Sequence, residues 1–91
     1  MQDQHFEWHD TKARTNLRDH GVTFEAAMLA FDDNLAIDEL DLTMDYGEER
    51  LKLTGMAQGR LLVVVYTMRE TRIRIISARE ADRHEQNDYH R

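Results

Sequence analysis

Residues 50–77 read RLKLTGMAQGRLLVVVYTMRETRIRIIS and hold three strand signals separated by two turns. Arg50 to Thr54 alternates, with Leu51 and Leu53 on one face and Arg50, Lys52 and Thr54 on the other. Leu61 to Tyr66 is apolar at every position, which predicts a central strand covered on both faces. Arg72 to Ser77 alternates again, placing Arg72 and Arg74 opposite Ile73 and Ile75. Gln58-Gly59 marks one turn and Met68 to Thr71 the other, so the segment predicts an antiparallel meander. With the apolar strand between its neighbours, the basic side chains of the two outer strands share a face.

Outward from this segment the signals are helical. Asp10 is the predicted N-cap of a helix through Lys12, Ala13, Leu17 and His20, with Gly21 at its C-cap. Thr23 caps a second helix whose Phe24, Ala27, Met28 and Phe31 form one apolar stripe. His5 to Trp8 reads as a short strand, Leu35 to Leu40 as an edge strand, and Ala78 to Tyr89 as a closing helix rich in helix formers. The expected order is β-α-α-β-β-β-β-α. This is an α+β fold over a single domain, residues 1–91: a small, mostly antiparallel sheet with two N-terminal helices and one C-terminal helix.

Composition narrows the function classes. No cysteine is present, which removes disulfides, thiol catalysis and thiolate metal sites together. The longest apolar run falls far short of the ~18 residues that span a bilayer, and Met1 is not followed by a secretory signal, so a cytoplasmic protein is expected. His5 and His9, four apart on an extended segment, would lie roughly 13 Å from one another, too far to share one metal. No glycine loop matches a nucleotide fingerprint, and no nucleophile elbow is present; no metal and no cofactor are expected. The tight pair of N-terminal helices is not a DNA reader, because its second helix carries no cation.

The net charge of −6 conceals a gradient: residues 1–49 balance at −10 and residues 50–91 at +4. Residues 32–49 hold eight acids and no base, which reads most simply as a solvated loop. On the basic side, Arg50, Lys52, Arg72 and Arg74 lie on strands, Arg69 in a turn, and Arg79 and Arg83 on the last helix. Arginine's planar fork suits phosphate and a developing phosphorane charge, although a solvated, salt-bridged face has the same composition. Lys12, Asn16 and His20 recur at i, i+4 and i+8, one helix face. That row suits phosphate binding and proton transfer, or simply a capped helix with a dipole-stabilised histidine.

The ordered set of motifs along nearly the whole chain resembles the BrnT toxins of bacterial type II toxin–antitoxin systems, ribonucleases with a RelE-like fold. The N-terminal part is Phe6-Glu7-Trp8, Lys12, Asn16, His20-Gly21-Val22, Phe24-Glu25 and Ala27. The middle is Gly47-Glu48-Glu49-Arg50 and Gly55, and the C-terminal part is Leu62 to Thr67, Arg69, Arg72 to Arg79, Ala81, Glu85 and Tyr89. The resemblance implies a metal-independent endoribonuclease that cleaves cellular RNA and halts translation and growth. It also implies a BrnA-type ribbon-helix-helix antitoxin, expected as a heterotetramer of two toxins on an antitoxin dimer, with DNA contacted only through that partner. The expected catalytic group is His20, Arg74, Arg79, Lys12 and Glu85, with Glu7 or Tyr89 as other proton-transfer groups. The expected RNA-binding group is Arg50, Arg69, Arg72, Asn16, Ser77, Tyr66 and Trp8. A decayed, partner-binding module of the same fold is the alternative.

Overall fold

The unbroken apolar run and its two alternating neighbours become the middle of a five-stranded sheet in the computed structural model, which describes residues 3–41 and 49–91. Asp45, Gly47 and Glu48, to which the acidic block and the family motif extend, lie outside the described residues. The elements are β1 (Phe6–Glu7), α1 (Asp10–His20), α2 (Phe24–Ala30), β2 (Ile37–Leu40), β3 (Leu51–Ala57), β4 (Arg60–Arg69), β5 (Arg72–Glu80) and α3 (Arg83–Tyr89). Spatial order is β1-β5-β4-β3-β2. β2 through β5 pair antiparallel in sequence order, and β1 alone runs parallel, with Phe6 opposite Ile73 and Glu7 opposite Arg74. The expected α+β class and the mostly antiparallel sheet are therefore present.

One face of the sheet builds the core. Leu53, Ala57, Leu62, Val64, Tyr66, Ile75 and Ala78 pack with Trp8, Val22 and the α2 residues Phe24, Ala26, Ala27 and Ala30. Phe24 meets Trp8 edge-on at 5.7 Å, and Phe31 stands edge-on between Phe6 and Tyr66, the arrangement ring quadrupoles favour. Gly55 lets the end of α2 approach the sheet: a Cβ there would sit 2.7 Å from the Ala30 carbonyl oxygen. On the opposite face Leu61 and Val63 are also buried, as the continuously apolar strand requires.

Several boundaries differ from expectation. The N-cap of α1 is His9, and Asp10 is its first helical residue; the acid still suits the positive end of the helix dipole. β3 starts after Arg50 and continues past Thr54 to Ala57. Met68 belongs to β4, since the second turn narrows to Glu70 and Thr71. The predicted helix from Ala78 starts five residues later, because Ala78, Arg79 and Glu80 pair with Val64, Val63 and Leu62. Ladder bonds and burial of Ala78 outweigh the helix propensity of that segment. The helix then begins where Asp82 accepts from the Glu85 N–H while the Glu85 carboxylate accepts from the Asp82 N–H, a capping box.

Candidate functional site

The face of the sheet away from α1 and α2 carries the basic side chains, and an irregularity in β5 decides which ones. Tyr66 pairs with Ile75 and Val65 with Ser77, so Ile76 is an extra residue, a bulge. Without it, Arg74 and Arg79 would project to opposite faces, because they lie five positions apart, an odd offset. With it, Arg74 opposes Thr67 and Arg79 opposes Val63, two β4 positions on one face. Lys52 of β3 opposes Val65 and so joins them, as does Ser77. Lys52, Arg74, Ser77 and Arg79 thus share a surface.

Each of the three cations meets a carboxylate. Arg74 Nη1 donates to Glu7 Oε2 at 2.6 Å. Arg79 donates through both Nη atoms to the two oxygens of Glu85, each at 2.8 Å, the two-pronged geometry that makes guanidinium–carboxylate pairs strong. Lys52 Nζ lies 3.4 Å from Glu39 and 3.9 Å from Glu85. The Arg79 fork, aided by the Asp82 N–H and Lys52, holds the Glu85 carboxyl down to about 2 against the cost of burial. Glu85 is therefore an ionised acceptor at neutral pH.

Beside this face runs a groove of about 260 Å³ between α1 and the bulge, lined by Lys12, Asn16, His20, Ile76 and Ser77 together with Thr11, Thr15 and Asp19. The i, i+4, i+8 row of α1 thus reaches the sheet where Ser77 belongs to both surfaces. Asn16 is buried and binds backbone only: Nδ2 donates to the carbonyls of Val22 and Ala78 at 2.9 and 2.8 Å, and Oδ1 accepts from the Ala78 N–H at 3.0 Å. It satisfies the stretch of β5 that β1 is too short to pair, so the ladder's next partner is a side-chain amide.

The register puts Arg69 and Arg72 on the same face as Arg74, as expected, but toward the hairpin turn, and the other predicted residues lie elsewhere. Trp8 and Tyr66 lie in the core on the other face. Tyr66 donates to Asp38 at 2.7 Å, and burial, with that carboxylate, raises its hydroxyl's pKa. Arg69 and Arg72 pair at the far end of the β4–β5 hairpin, where Arg72 Nε donates to the Asp3 carbonyl. Arg50 precedes β3, its carbonyl accepting from Asp41.

Four participants, Lys52, Asp33, Asp38 and Glu39, were not among the predicted site residues. Lys52 was legible from strand alternation. Asp33, Asp38 and Glu39 were not, since they sit inside the acidic block that reads as a solvated loop. Asp33 instead accepts from the Met56 and Leu35 N–H groups and from the Tyr89 hydroxyl at 2.5 Å. These bonds, Tyr89 foremost, lower its pKa. The described acids Asp33, Asp38 and Glu39 therefore bind β3, β4 and α3 to the rest of the molecule.

The structure is thus a small α+β domain whose sheet presents a lysine and two arginines beside a histidine-bearing groove. A family model described as "Ribonuclease toxin, BrnT, of type II toxin-antitoxin system" matches residues 8–85. The chain belongs to this BrnT toxin family, which makes it a ribonuclease toxin with an antitoxin as its partner. No curated protein matches it. Among the described residues no helix is long and apolar enough to cross a membrane.

Proposed function

We propose that the chain is a metal-independent endoribonuclease of the cytoplasm that cuts cellular RNA, stops translation and growth, and is neutralised by a BrnA-type ribbon-helix-helix antitoxin. In the assembled form two toxins flank an antitoxin dimer, which makes the DNA contacts. The observation that carries the nuclease reading is the Ile76 bulge, which sets Arg74 and Arg79 on one face with Lys52, beside His20 and Lys12.

RNA can supply its own nucleophile. The 2′-oxygen attacks the adjacent phosphorus as its proton leaves, the P–O5′ bond breaks, and the 5′-oxygen takes a proton. The products are a 2′,3′-cyclic phosphate and a 5′-hydroxyl. Two tasks fall to the protein: moving protons and stabilising charge on the pentavalent phosphorus. His20 is the proton-transfer group, because it is the histidine that lines the groove beside Lys12 and Ser77. Arg74 and Arg79 hold the non-bridging oxygens, with Lys12 and Lys52 assisting and Ser77 donating a hydroxyl where the two surfaces meet. Glu85, ionised and forked to Arg79, serves as that arginine's counter-ion rather than as an acid.

The test is induction of this chain alone, with and without His20→Ala, followed by growth and RNA-integrity measurements. Growth arrest with fragmented RNA is expected, and the purified chain should cut RNA in EDTA and leave cyclic phosphate ends. His20→Ala should slow cleavage by about 10²–10⁴. Normal growth with intact RNA would instead leave a partner-binding module of the same fold.

A further inference from the structure

The carboxylates that meet the cations of the open face differ in one respect. Glu7 belongs to β1, whose backbone is paired to β5 directly opposite Arg74. Glu85 belongs to α3, a helix of seven residues with none buried. Helices so short and so exposed are drawn from the least stable part of a fold and open locally at small cost. Resting on the ribonuclease reading above, we propose that α3 is an inbuilt plug, with Glu85 occupying the seat of an RNA phosphate on Arg79 and Lys52.

Carboxylate and phosphate oxygens compete for the same guanidinium donors. Glu85 uses both terminal nitrogens of Arg79, and its second oxygen faces Lys52, so it fills the arginine edge that would grip a non-bridging phosphate oxygen. The side chain of Glu85 is 12% exposed and that of Arg79 41%, so solvent reaches the cation while its counter-ion lies behind. An incoming strand therefore reaches Arg79 before the plug has left.

What holds the plug is equally specific. At its start the Asp82–Glu85 capping box keeps the carboxylate turned inward. At its end the Tyr89 hydroxyl donates to Asp33, whose carboxylate is fixed by two backbone N–H groups. Between these, α3 covers a cleft of about 180 Å³ over β2 and β3 that includes Ile37, Glu39, Lys52 and Thr54. The Asp33–Tyr89 bond thus sets how readily the helix lets go.

The experiment separates plug from nuclease by using a strand that cannot be cut. A labelled oligodeoxythymidylate lacks the 2′-hydroxyl, and its affinity is read by fluorescence anisotropy. Glu85→Gln keeps the shape and the capping-box acceptor but removes the charge; it should tighten binding about fivefold, the upper range for a partly exposed ion pair. Tyr89→Phe leaves Glu85 and every cation in place, serves even if Glu85→Gln does not fold, and should tighten binding about twofold while raising RNA cleavage. Unchanged or weaker binding in the folded variants overturns the plug. Cleavage by the unaltered chain alongside such a result leaves the nuclease reading standing without it. Tighter binding in the variants with no RNA cleavage by any form keeps the plug and removes the nuclease.

Discussion

Two helices are fastened to adjacent residues of β5, and by opposite means. α1 is held at Ala78 through Asn16, a buried neutral amide bonded only to backbone. α3 is held at Arg79 through Glu85, a charged group bonded to a side chain that solvent reaches. The first fastening has no competitor, because a backbone N–H and carbonyl inside the fold meet no phosphate and no water. The second competes with any anion the arginine can accept. Neighbouring positions on the two faces of one strand therefore give one helix that fixes the groove and one that can exchange.

The comparison is tested most severely at the cations themselves. Arg74→Ala should reduce RNA cleavage by about 10²–10³, the effect of removing one preorganised charge-stabilising donor, while the melting temperature shifts only slightly. A fall of many degrees would make Arg74 a structural partner of Glu7 and erase the functional contrast between the two faces. Asn16→Ala comes next. It removes three buried bonds at about 1 kcal/mol each and leaves Ala78 unpaired. A loss of about 2–3 kcal/mol is expected, on the order of 10 °C or more in melting temperature for a domain of this size. Calorimetry that finds less than about 0.5 kcal/mol would show that α1 is no more firmly tied than α3.

The same strand explains what could be read beforehand. Alternation in Arg50–Thr54 and Arg72–Ser77 and the apolar run between them foretold β3, β4 and β5, because side chains that must face water or core leave a period-two trace. The stripe Phe24, Ala27, Met28 and Phe31 foretold α2 for the corresponding reason. Ile76 left no such trace: a bulge changes which residues share a face without changing their polarity, so the union of Arg74 with Arg79 emerges only from the register. Strict alternation would have separated them. The tail misled for a related reason, since Ala78 to Glu80 have helix-forming composition and a strand environment. The bond from Tyr89 to Asp33 joins residues 56 apart through one hydroxyl, a contact no local pattern announces.

Acid gives the smallest effect and separates the two fastenings without mutation. The Glu85 carboxyl is lowered from the ordinary 4.5 to about 2, so between those values the unfolded chain binds the proton that the folded chain refuses. Its stabilisation is complete above about 4.5 and is lost as pH falls through about 2. The lowered Asp33 follows the same sign, with the Tyr89 bond as its main cause, so both anchors of α3 weaken in the same direction. The total is on the order of 0.5–1 kcal/mol, because Arg79 is partly exposed and solvent screens the pair. Asn16 has no proton to gain in this range, so α1 should remain seated. Amide exchange or NMR signals followed from pH 5 downward should therefore show α3 loosening while the Ala78 N–H stays protected. Loss of both helices at one pH would mean that the two fastenings belong to a single cooperative unit.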